Sequence, residues 1–271
     1  TGDDLLYFRV VSFLLGMELA KGSSWNVQRV VQALNIFSFR FLITTIDELL
    51  DEKRWKELAP CMSLYSRMIE ALNLLLATHT SETHFSIVLG MCNFIFYSAE
   101  HLDPLVKCYR SWHPNRWTKK ATFDMLAAGE TSIQLLTAMH EACSSRSSEG
   151  EKGMKELKAA SFDVDIYFSR MVSNGTIRMV TSLLSEASHN PPSLNQHIAS
   201  FLTRVLNIRI GSKMRDGDGH TSLIAQLVSR SSPEPSLAPL LFSLKSLIVY
   251  DQVLTDPILK RSPAAQPLIS T

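Results

Sequence analysis

The chain has 271 residues, of which 45% are hydrophobic, 20% charged and 8% aromatic, a globular composition that excludes disorder over most of its length. Its 11 glycines and 11 prolines are too few for the turns of an all-β sandwich or barrel, so helices are expected. A formal charge of +1, from 27 Lys and Arg against 26 Asp and Glu, excludes a whole-molecule field that draws nucleic acid or an anionic membrane; such binding has to come from a local patch.

The apolar run from Val10 to Met17 is bounded by Arg9 and Glu18. It is too short to cross a bilayer core of about 30 Å. Asp3 and Asp4 stand where a secretory signal would be basic, and the opening on Thr1 points to a piece of a longer protein. Val27, Val30, Val31, Leu34, Phe37, Phe41, Ile46 and Leu49 recur at three- and four-residue steps, which predicts one long helix over 26–50. Leu58, Cys61, Met62, Tyr65, Met68, Ile69, Leu72, Leu75 and Leu76 form a second stripe, with Pro60 in the first turn where its missing N–H costs nothing. The short connection DEKRW makes the two an antiparallel hairpin.

A third stripe runs from Phe85 to Ala99, and Pro104 opens a short element over 104–111. From Thr118 to Cys143 a helix carries Phe123, Leu126, Ile133, Leu136 and Met139. Gly129 inside it costs about 1 kcal/mol against Ala, which predicts a kink or a close approach there. The run SSRSSEGEKG, 144–153, has no apolar side chain and reads as flexible. Core patterns resume at Phe162, Ile166, Phe168 and Met171, then at Ile177, Val180, Leu184 and Ala187, until Pro191 and Pro192 end that unit. Leu194 to Leu206 forms a further helix, the stretch 209–236 is irregular apart from Leu223 to Val228, and a last helix of about eighteen residues covers Leu237 to Leu254.

These elements predict an all-α chain: an α-solenoid of armadillo or HEAT type, made of paired antiparallel helices with no significant β-structure, against the alternative of a compact helical bundle. The expected organisation is a first solenoid part over 1–143, a flexible linker over 144–160, a second part over 161–257 and a disordered tail over 258–271.

Motifs for chemistry are few. The four cysteines, at 61, 92, 108 and 143, form no CxxC pair, which argues against a disulfide framework or zinc knuckle and fits a reducing interior. Asp216 to Gly219 reads DGDG, but the fifth position of a calcium loop would be His220 and the twelfth Leu227, so it reads as a solvated turn. GSK at Gly211 lacks the upstream Gly of a phosphate loop. His79, Glu82 and His84 miss the spacing of a zinc helix, Asn174-Gly175-Thr176 is turn chemistry, and no Gly-x-Ser-x-Gly elbow is present. No catalytic residue, metal ligand or cofactor site is expected. The carboxylates from Asp47 to Glu57 read as a solvated helix edge.

One cluster stands above this background. Lys107, Arg110, Arg116, Lys119 and Lys120, with His113, Tyr109, Trp112 and Trp117, lie between 104 and 123 without an acidic residue. Cations at this density neutralise phosphates, and Trp112, Trp117 or Tyr109 could cover a sugar or stack on a base. The alternative is that the aromatics pack beneath the loop and leave the cations in water.

Five blocks, read in order, resemble the Timeless family, the large subunit of the replication fork protection complex, in the C-terminal part of its helical solenoid. They are CNFIFYSAEHLDPLVKCYRSW (92–112), FDMLAAGETSIQLLTAMHEAC (123–143), FDVDIYFSRMVSNGTIRMVTSLLSEASHN (162–190), LNQHIASFLTRVL (194–206) and LLFSLKSLIVYDQVLTDP (240–257). The sequence departs from the family's pattern in the insertion between the last two blocks and in a short Ser-rich linker in place of a long acidic one. The resemblance implies a non-catalytic nuclear scaffold. It would form a heterodimer with a Tipin-like small subunit, travel with the replicative helicase and other replisome components, grip duplex DNA, and support the S-phase checkpoint and the DNA damage response. It implies no cofactor, no membrane and no small-molecule substrate. On it, Lys107, Arg110, Trp112, Arg116, Trp117, Lys119 and Lys120 become candidate DNA or partner contacts. A generic armadillo or HEAT-type adaptor is the alternative function, and a helical-bundle enzyme a third.

Overall fold

The structure is a computed structural model that describes residues 2–22, 26–78, 82–97, 104–145, 154–208, 236–261 and 268. The chain is all-α, and no β-strand is present among the described residues. It divides into two compact units, Thr1–Val164 and Asp165–Thr271.

The first unit is built from Gly2–Leu19 (α1), Val27–Ala33 (α2), Ile36–Asp51 (α3), Leu58–Thr78 (α4), Glu82–Cys92 (α5), Pro104–Ser111 (α6), Lys119–Ser145 (α7) and Met154–Ser161 (α8). A 3-10 turn at Trp55–Glu57 leads into α4, and a π-helical turn at Asn93–Tyr97 extends α5. The stripe from Leu58 through Leu75 makes α4 the core of this unit: Cys61, Met68, Ile69, Leu72 and Leu75 are fully buried. Helices α1 and α7 flank it.

The direction of packing follows from which residues meet. Ser12 of α1 hydrogen-bonds Ser63 of α4 at 3.0 Å, and a side chain at Gly16 would meet Arg67, one turn further along both helices. These two helices are therefore parallel. Arg67 in turn lies near Asp124 of α7, while Asn73 and Leu76 share a cleft with Ala138 and Glu141, so α4 and α7 are parallel as well. On the other layer Asp47 of α3 pairs with Lys107 of α6 at 2.8 Å. Between α6 and α7 the sense reverses: Tyr109 of α6 reaches Met125 of α7, and Trp112 in the turn reaches Thr122. Like helices stacked in parallel, and joined in antiparallel pairs across two layers, are the packing of an α-solenoid.

The second unit contains Val164–Met171 (α9), Asn174–Leu184 (α10), Pro192–Asn207 (α11), a 3-10 turn at Ala238–Leu241, Leu244–Thr255 (α12) and Pro257–Arg261 (α13). Helix α10 carries the core, through Ile177, Met179, Val180 and Leu184, and packs on α11 and α12. Phe168 and Phe201 meet at 5.2 Å between ring centroids and tie α9 to α11.

Several boundaries differ from the sequence reading, each for a local reason. The single helix expected over 26–50 is two, because Asn35 takes an extended backbone and its side chain accepts from Ser38 N–H, starting α3 anew. The last helix likewise begins at Ser243, whose side chain accepts from Ser246 N–H; the residues before it form a 3-10 turn. Of the flexible linker expected over 144–160, the described residues 144–145 and 154–160 are helical. Helix α7 runs to Ser145, and α8 occupies the second half of the segment with Ala159 buried. Phe162 then packs its ring on Tyr97 at 4.9 Å, so the division between units falls at Val164. The first residues of the expected tail, 258–261, are helical, with Leu259 buried. The DGDG turn, GSK, His79 and the stretch Leu223 to Val228 lie outside the described residues.

Helix α1 was not anticipated as an element beyond the apolar run from Val10 to Met17. Among the described residues no helix is long and apolar enough to cross a membrane.

Candidate functional site

The basic cluster is distributed over the end of α6, the turn 112–118 and the first turn of α7. Local chemistry fixes this corner. The His113 carbonyl accepts from the N–H groups of Arg116 and Trp117, which closes the turn. The Thr118 hydroxyl accepts from Ala121 N–H and caps α7. Trp112 Nε1 donates to Thr122 Oγ1 at 3.1 Å, pinning the turn to the helix it precedes.

The aromatics go inward. Tyr109 is fully buried between α6 and α7, and its hydroxyl donates to the Met125 carbonyl at 3.3 Å. Burial pushes the Tyr109 hydroxyl well above its ordinary pKa. Trp117 is only 6% exposed, with its Nε1 buried and unpaired. The expectation that Trp117 contacts a sugar or base is therefore corrected: its indole is worth more to the core than to solvent, and the turn closes over it. Trp112 is half-buried and already hydrogen-bonded.

Two of the cations, Lys107 and Lys120, pair with carboxylates. Lys107 Nζ bonds Asp47 Oδ1 at 2.8 Å, with both side chains about one-third exposed. Lys120 Nζ bonds Asp124 Oδ2 at 2.9 Å. Burial raises the Asp124 carboxyl above the usual range, and Lys120 and Arg67 pull it back down. Both lysines are thus partly neutralised by carboxylates. Arg110, Arg116 and Lys119 are exposed residues at the rim of the turn, as Lys120 is. The Arg116 guanidinium lies over the Trp55 ring at 5.5 Å, which orders it without removing its charge.

Asp47 and Trp55 are the residues that sequence reasoning did not place here. A signal existed: the acidic connection over 47–57 is opposite in sign to 107–120, and the two sit at matching ends of α3 and α6. Replacing Lys107 with Ala is expected to change the stability of the first unit by less than about 1 kcal/mol in a denaturant titration, because the pair is accessible to water and salt. A loss of several kcal/mol would mean that the pair is structural.

No other constellation competes with this corner among the described residues. No group of three His, Cys, Asp or Glu side chains is placed to hold a metal ion. The four cysteines are buried and form no disulfide, and burial pushes the Cys61 thiol up to about 12. An open cleft of about 390 Å³ in the second unit is lined by Asp165, Ser200, Thr203, Arg204 and Asn207; its guanidinium sits over Phe168 at 5.7 Å and 3.8 Å from Asp165. A second cleft, of about 420 Å³, lies between α4 and α7 and has Glu141 as its one ionisable side chain.

Compared with models of known protein families and with curated proteins, the chain matches none.

Proposed function

We propose that the chain is a non-catalytic nuclear scaffold of the fork-protection type, binding a Tipin-like small subunit, replisome components and duplex DNA, with the 110–119 corner as its DNA contact. The observation that carries the DNA role is the exposure of Arg110, Arg116 and Lys119 on a turn anchored by the buried Trp117 and by the Trp112–Thr122 bond. Cations held on a rigid edge lose little further freedom when a phosphate backbone arrives. The five blocks resembling the Timeless family supply the identity of the other partners.

Within this reading the seven candidate residues have different roles. Arg110, Arg116 and Lys119 meet phosphates. Lys107 and Lys120 are held by Asp47 and Asp124 and add mainly to the local field. Trp112 and Trp117 position the turn. Fluorescence anisotropy with a short duplex tests this. Converting Arg110, Arg116 and Lys119 together to Ala is expected to weaken binding and to reduce the slope of log affinity against log salt by roughly 2–3, close to 0.9 per lost phosphate contact. Lys107→Ala is expected to leave that slope nearly unchanged. A triple variant with unaltered affinity and slope would remove the DNA role.

The second reading, a generic helical adaptor, is favoured by the exposed apolar side chains on α1 and α12. Co-purification separates the two: helicase subunits recovered with the chain support the fork scaffold, and unrelated cargo supports the adaptor.

A further inference from the structure

Helix α1 is apolar on two opposite faces. Phe8, Ser12 and Leu15 are buried on one side, whereas Leu6, Tyr7, Val10, Phe13, Leu14 and Met17 are exposed on the other, Phe13 by 65%. At 100° per residue these six fill a continuous arc of roughly 120°, the width a helix normally directs at a core. Asp3, in the first turn, is the one charged residue on that arc. Phe41 of α3 continues the surface, its ring 5.1 Å from Phe8 and 6.4 Å from Tyr7, and Phe37 one turn earlier is 81% exposed.

Together the exposed side chains present on the order of 800 Å², the area each partner buries in a stable protein–protein interface.

We propose that this face pairs with the same face of a second copy of the chain across a two-fold axis. Leu6, Val10, Phe13 and Met17 are spaced by four, three and four residues, an order that reads the same in both directions. Two such helices laid antiparallel, with the axis between positions 11 and 12, bring Leu6 against Met17 and Val10 against Phe13, so each apolar side chain meets another. The charges agree with that arrangement. Asp3, the one charge on the face, comes to the far end of the opposing helix, beside the Lys21–Glu18 pair rather than against a lone carboxylate. Glu18 at that end is already held by Lys21 at 2.7 Å and by Arg29 at 3.5 Å, so it adds little repulsion. The two helix dipoles also oppose one another.

This pairing is independent of any DNA contact and is read from mass alone. Light scattering or sedimentation of the 271-residue chain is expected to give twice the monomer mass at about 50 μM and to fall toward the monomer on dilution. Val10→Glu combined with Phe13→Glu sets charges in the middle of the face at exposed positions. It is expected to keep the helical circular dichroism and the melting transition while remaining monomeric at every concentration. Phe242→Glu, at an exposed apolar residue of the second unit, is expected to leave the dimer intact. A wild-type chain that stays monomeric overturns the proposal, since the face then belongs to a different occupant. So does a dimer that tolerates the two α1 charges, or one that Phe242→Glu dissolves.

Discussion

Replacing Gly129 with Ala is expected to destabilise the first unit by about 2 kcal/mol, although Ala is the better helix former by about 1 kcal/mol. A Cβ on Gly129 would run into the Tyr109 hydroxyl and come within 3.1 Å of its Cζ and 3.2 Å of its Cε2. The ring has no room to retreat: Tyr109 is fully buried and its hydroxyl is bonded to Met125. Forcing a methyl into a contact this short costs about 3 kcal/mol in packing, the upper end for an overpacked core, which leaves a net loss of about 2 kcal/mol after the gain in helix propensity. For a unit of this length the loss corresponds to a fall of roughly 4–8 °C in melting temperature. Tyr109→Phe in the same chain removes the colliding oxygen and is expected to recover at least half of the loss in a double-mutant cycle. If Gly129→Ala raised stability instead, helix propensity would be the stronger effect and the close approach would not be real. The consequence reaches the candidate site, because α6 and α7 carry the two sides of the 110–119 corner.

The second large effect is expected in the other unit. Asn195, at the start of α11, is fully buried, and its Nδ2 donates to the Ala187 carbonyl at 2.9 Å. Its Oδ1 accepts from Asn190 Nδ2, which also donates to the Leu183 carbonyl at 2.8 Å. Two side-chain amides thus satisfy the backbone where α10 ends and the chain turns back. Asn195→Ala leaves the Ala187 carbonyl without that donor in an apolar surrounding and is expected to cost about 2–3 kcal/mol by urea titration. Asn195→Asp carries its own sign. A carboxylate cannot donate to Ala187, and burial raises the carboxyl pKa above its unfolded value. The protonated form is therefore favoured in the fold, and the deficit is expected to grow as pH rises through the folded pKa and to shrink toward acid. A cost below about 0.5 kcal/mol for Asn195→Ala would show that water replaces the amide without penalty.

The sequence reading located most helices because their apolar residues recur with helical spacing, and it placed Pro60 and Pro104 at helix starts, where they are found; Pro192, read as the end of a unit, opens α11. It merged α2 with α3 because apolar periodicity runs on through the break. The information was present in Asn35, a residue whose short side chain competes for a backbone N–H and ends one helix by beginning another. Helix α1 escaped for the opposite reason: with apolar residues on both faces it has no amphipathic contrast for a periodicity argument to detect.

The basic cluster was legible as composition and illegible as geometry. Counting cations between 104 and 123 treats all of them alike, and only packing α6 against α3 puts Asp47 beside Lys107. The same holds for the two tryptophans, whose apolar area favours burial but whose depth depends on what the turn folds over.

What the sequence alone determined, then, is local. Helical spacing, capping side chains and scarce turn residues fix the all-α class, because these signals act within a few residues of one another. The tertiary structure decided which like helices stack in parallel, where Gly129 admits Tyr109, which cations meet carboxylates and which apolar face of α1 is left open. Those outcomes depend on residues far apart in the chain, where burial and charge pairing are set by neighbours that no single segment contains.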